Sequence, residues 1–119
     1  MHCWVLVLAI TLGSSSLAIA DQAGERYIIG LAYDLEVASY CSIVDETVAR
    51  GFRIALQTEL ERSPLSQAKL DELRGMGWQL AHAEWQNRGL GGFRNWCKTE
   101  GRTVAKALAE FARTPAPES

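Results

Sequence analysis

Three side chains in the second half of the sequence have the types and spacing for acid–base chemistry. At about 100° per residue, Glu84 and Glu100 fall inside the apolar arcs of the helices that carry them, and Arg88 follows Glu84 by one turn. A carboxylate facing an apolar interior must be neutralised or paired. Two inward glutamates beside one arginine can form a general acid/base pair of the kind carboxylate glycosidases use. The more ordinary reading is an ion-paired clamp, Arg88 against Glu84 or Glu100, that fixes the adjoining loop and sets geometry rather than reactivity.

Two further patterns suit binding. Arg94, Lys98, Arg102 and Lys106 repeat at i, i+4 with no acidic residue interleaved on their own face, which salt-bridged helix faces normally show. Such a row is either a solvated face or a contact for an anion: lipid phosphate, an acidic envelope polymer or an acidic protein. Trp78 and Trp85 lie two turns apart, with Ala81 between them, and are expected to form a flat, partly exposed platform or else a broad core face. Leu90, in the loop after them, is a candidate contact beside them. His82 is expected at the surface, with no second ligand at metal-binding spacing. No nucleophile elbow, metal cluster or cofactor loop is present, so neither a metal nor a cofactor is expected. The chain has 12 Lys and Arg against 14 Asp and Glu, which leaves no electrostatic footprint for nucleic acid.

The elements that position these residues follow from the pattern of the 119-residue chain. Trp4–Leu12 is an apolar run too short to span a bilayer. With the small residues Ala18-Ile19-Ala20 after it, residues 1–20 read as a cleavable secretion signal, though its start carries no Lys or Arg. The domain is then 21–112, with 113–119 as a frayed tail. After cleavage no transmembrane segment is expected. Two cysteines remain, Cys41 and Cys97. Export places them in an oxidising compartment, where an even count favours a disulfide.

Four stretches have helical periodicity: Glu25–Tyr40, Asp45–Arg62, Ser63 or Ser66 to Asn87, and Phe93–Ala112. Asp45 is a good N-cap, Ser63-Pro64 a stop, and Asn87–Gly92 the strongest loop signal. Short connections favour an all-α, up-down-up-down four-helix bundle. In it, the end of helix 1 and the start of helix 4 lie at one end on neighbouring helices, where Cys41 and Cys97 can pair. Glycines recur in every helix, as close helix crossings or as the wall of a ligand cleft.

In architecture the chain resembles small periplasmic stress chaperones, which are also single-disulfide helical domains; the resemblance is one of class and carries no residue roles. The expected function is an exported, non-enzymatic envelope protein, most naturally of the bacterial periplasm, that binds a partner as an inhibitor, immunity-type protein or chaperone. The alternative is an envelope carbohydrate-acting hydrolase using Glu84 or Glu100.

Overall fold

The computed structural model describes residues 15–88 and 92–114, with side chains from Gln22 onward. The elements are α1 (Ser15–Tyr40), α2 (Glu46–Arg62), α3 (Gln67–Asn87), α4 (Gly92–Trp96), a π-helical turn (Cys97–Gly101) and α5 (Arg102–Arg113). The last three run on as one fourth helix, so the chain is all-α with four helices and, among the described residues, no strand.

Local chemistry sets most of the boundaries. The Asp45 carboxylate accepts the Val48 N–H at 2.8 Å and starts α2; the Ser66 hydroxyl accepts the Lys69 N–H at 3.1 Å and starts α3. Ser63 caps the end of α2, directly before Pro64. At the end of α1, Ile43 N–H reaches back to the Ala38 carbonyl and Ser42 N–H to that of Ser39, and Ser42 takes the left-handed conformation at φ 57°. This turn aims Cys41 at the fourth helix. The expected start of helix 1 near Glu25 needs correction: α1 already runs from Ser15, because Leu17–Ala23 contains neither Pro nor Gly to stop it. The expected leader lies mostly outside the described residues, and α1 crosses its proposed boundary.

The helices alternate in direction, and the closest packing is between parallel ones. Along α1 and α3, Glu25 faces Lys69 at 3.8 Å, Ala32 faces Gly77, and Tyr40 faces His82. The order of contacts is the same on both chains, so the two helices run side by side in one direction. Likewise Gly51 of α2 meets Leu108 of α5, and Phe111 reaches the level of Ala55 and Thr58. Both crossings depend on a missing side chain. A Cβ on Gly51 would lie 1.7 Å from the Leu108 carbonyl oxygen, and one on Gly77 would lie 2.7 Å from the Ile29 carbonyl oxygen. Gly30 and Gly75 have nothing within 4 Å of such a Cβ, so close approach explains only some of the glycines.

Between the two pairs sits the core of Val37, Ala38, Phe52, Ala81, Trp96 and Leu108, with a smaller cluster of Ile28, Leu70 and Leu73 toward the other end. Cys41 and Cys97 are bonded, with Cα atoms 5.3 Å apart. As expected, the bond joins the end of α1 to the start of the fourth helix. The π turn lies on it. Arg102 N–H donates to the Cys97 carbonyl, an i→i+5 bond, and Gly101 backs onto Cys41, where a Cβ would stand 2.8 Å from Sγ. In an unbroken α-helix Glu100 would lie beneath Trp96. The extra residue brings Gly101 there instead, and both Trp96 and Gly101 are buried.

Candidate functional site

Four rings from two helices gather on one surface. Trp78, His82 and Trp85 stand at i, i+4 and i+7 on α3, and Tyr40 joins them from the end of α1. Trp78 and His82 stack at 5.1 Å with planes 9° apart, His82 and Trp85 at 5.8 Å, and Trp85 and Tyr40 at 5.3 Å with planes 12° apart. The Tyr40 hydroxyl and His82 Nδ1 share a hydrogen bond of 2.7 Å. Burial first and the nearby Glu36 second hold the Tyr40 phenol above its ordinary range, so it stays protonated.

The expected platform is therefore a row of mutually stacked rings, locked by a hydrogen bond between helices. Ala81 is fully buried beneath it. His82, expected as an isolated surface residue, is half-buried and sits in the row; the i, i+4, i+7 spacing with the tryptophans was the signal for this. Trp78 and Trp85 remain 44% and 41% exposed; Met76 and Leu80, 44% and 54% exposed, lie about 160° around the helix from Trp78, on its other flank. Leu80 edges an open cleft between α1 and α3, beside Ile29, Gly30 and Tyr33.

The carboxylates divide differently from the sequence expectation. Arg88 donates to Glu84 at 2.7 Å, and both side chains are more than two-fifths exposed. The guanidinium also lies over the Trp96 ring, 5.7 Å from its centroid. The clamp thus forms with Glu84, at the surface rather than in the core. Trp96 is buried, and its indole N–H finds no acceptor among the described residues. Glu100 is swung aside by the π turn, toward Asp34 of α1. Burial first and Glu100 second raise the Asp34 carboxyl to about 6, and Glu100 and Glu84 both help push the Tyr33 phenol upward after burial itself.

Two residues were missed in the sequence. Asp34 follows Leu31 and precedes Ala38 on the inner arc of α1. Glu59 continues the inward series Val48, Phe52, Ala55 on α2; it is 4% exposed and paired with Arg62. Gly24 opposite leaves room for its carboxylate. A cleft of about 360 Å³ opens between α1 and α3, lined by Arg26, Ile29, Gly30, Tyr33, Leu80 and Glu84.

Arg94, Lys98, Arg102 and Lys106 are all exposed, and none lies in an ion pair among the described residues. Leu90 lies outside the described residues. Among those residues no helix is long and apolar enough to cross a membrane. Compared with protein-family models, curated proteins and solved structures, the chain matches none.

Proposed function

We propose that the chain is a non-catalytic binding protein of an oxidising compartment outside the cytoplasm, most naturally the bacterial periplasm, and that it docks a partner protein through the outer side of α3. The observation that carries this reading is the stacked row Trp78, His82, Trp85 and Tyr40, in which both tryptophans stay more than two-fifths exposed. Adjacent, partly exposed tryptophans are a common mark of an interface. Stacking and the Tyr40–His82 hydrogen bond immobilise the rings in advance, which lowers the entropy lost on docking. The leader-like first 20 residues and the Cys41–Cys97 bond support the compartment. The test is a cross-linking pull-down from envelope extract with wild type, Trp78→Ala and Trp85→Ala. A defined band captured by wild type should fall at least several-fold in both variants, while their circular dichroism matches wild type. Equal capture by all three removes α3 as the surface.

One observation favours a second reading: the cleft between α1 and α3 reaches Glu84. A carbohydrate-acting hydrolase would use that carboxylate. Glycan turnover by wild type that is lost in Glu84→Gln, with melting unchanged, would establish this reading. Turnover by neither protein would leave the binding role.

A further inference from the structure

The outward face of the fourth helix carries charge that the rest of the molecule leaves unanswered. Residues 92–113 hold five Lys or Arg against two Glu, whereas residues 15–88 hold seven against eleven acidic residues. Most of those acidic side chains are already engaged: Glu25 and Glu72 with Lys69, Glu46 with Arg53, Glu59 with Arg62, Glu84 with Arg88, and Asp45 as a cap. Arg94, Lys98, Arg102 and Lys106 have no such partner among the described residues. Among the described residues a second copy of the chain offers no free carboxylate row to meet them, so the complementary charge is sought on another molecule.

Geometry narrows its form. Successive cations stand about 6 Å apart along the axis. In a straight α-helix each i, i+4 step also drifts around the axis by about 40°, which would wind the row away from any straight partner. The π turn falls between Lys98 and Arg102 and places one more residue in a turn, which takes back much of that drift. The four charges then form a nearly axial column.

Next to it runs a second column, one residue later at each step: Asn95, Thr99, Thr103 and Ala107. All four are exposed and small. The Thr99 hydroxyl donates to the Asn95 carbonyl at 2.8 Å and the Thr103 hydroxyl to that of Thr99 at 3.0 Å. Both threonines thus spend their polar atoms on their own helix and present methyl groups outward. A smooth, small-residue strip beside a straight row of cations is a helix-docking face: the strip admits close approach, and the row matches carboxylates at i, i+4, i+7 and i+11, the spacing that stays near one line of a straight helix. A bilayer would call for large apolar side chains all along the cation row; the second column has none, and of the exposed large apolar side chains on this helix Phe93 stands at the start of the row and Phe111 beyond its end.

From this we infer that the fourth helix docks an acidic amphipathic helix of another protein, with carboxylates at i, i+4, i+7 and i+11 along one edge and small residues beside them. The surface shares no residue with the α3 row, so the two assignments stand or fall separately.

The probe is a synthetic helical peptide with four glutamates at positions i, i+4, i+7 and i+11 on an alanine-rich background. The control has the same composition, with the glutamates spread around the helix. Binding of each to the oxidised full-length protein is measured by fluorescence anisotropy at low and at physiological salt. The patterned peptide should bind about tenfold tighter than the control, and its binding should weaken with salt. Charge reversal of Arg94, Lys98, Arg102 and Lys106 together should abolish binding. Thr103→Trp, which keeps every cation but fills the strip, should weaken the patterned peptide about tenfold. Circular dichroism confirms that each variant folds. Equal binding of the two peptides, or no effect of Thr103→Trp, overturns the inference. Binding to vesicles of phosphatidylglycerol without binding to the patterned peptide overturns it in favour of a lipid surface.

Discussion

Asp34 is the side chain whose titration the fold changes most. Its carboxyl is raised to about 6 from the unfolded value of 3.8, first by burial and then by Glu100 across the interface. The folded protein therefore holds this proton to higher pH than the unfolded chain does. The favourable state is fully present below about pH 4, is lost as pH rises through about 6, and leaves stability level above that. Because the site is partly open to solvent, the swing is about 1 kcal/mol rather than the full linkage value. Asp34→Asn should flatten this part of the profile and raise stability near pH 7.5 by a similar amount, with little change near pH 4. Melting temperatures of both proteins across that range check it; parallel curves would show that Asp34 is not the group responsible. Asp34 and Glu59 were both legible in principle, since each interrupts an inward apolar series. Their neighbours Leu35 and Leu60 complete equally good arcs, and period alone does not choose between adjacent positions. His82 was legible in the same sense, through its spacing from Trp78 and Trp85, but its bond to Tyr40 depends on which helix lies beside α3.

Element boundaries follow closely from the sequence where a side chain does the work. Asp45 and Ser66 cap α2 and α3, and Ser63-Pro64 ends α2. The π turn has no such signal. It arises from the bond to Cys41 and from the fit of Gly101 against that sulfur, both of which join distant parts of the chain. Helix pairing is likewise invisible to periodicity, which gives each helix a face but not the neighbour it meets. The glycines distinguish the cases. Gly51→Ala drives a methyl into the Leu108 carbonyl, so α2 and α5 must move apart, at a cost of about 3 kcal/mol or loss of folding. Gly75→Ala meets nothing and should stabilise by up to about 1 kcal/mol through helix propensity. Urea titration of both variants tests the pairing directly; equal and small effects would refute the close α2–α5 crossing.

For the molecule as a whole the disulfide is the strongest single constraint. It spans a sequence separation of 56 residues and closes the end at which α1 meets the fourth helix. Cross-linking a loop of that length lowers the entropy of the unfolded chain by about 4 kcal/mol, a large share of the stability of a domain this size. Cys41→Ser with Cys97→Ser should therefore cut unfolding free energy by roughly that amount, and wild type measured in reductant should match the double variant. Wild type that keeps its stability in reductant would show that the bond is dispensable.

The parallel pairing of α1 with α3 and of α2 with α5 also governs the order in which the chain can mature. Glu25 waits for Lys69, and Gly51 waits for Leu108. Neither early hairpin is a finished unit, and every close crossing links segments some forty to sixty positions apart, which slows folding relative to helical proteins built from local contacts. A nascent chain emerging from its N-terminal end, at a ribosome or through a narrow pore, stays threadable until its final segment is out. Only then can all four segments lock together.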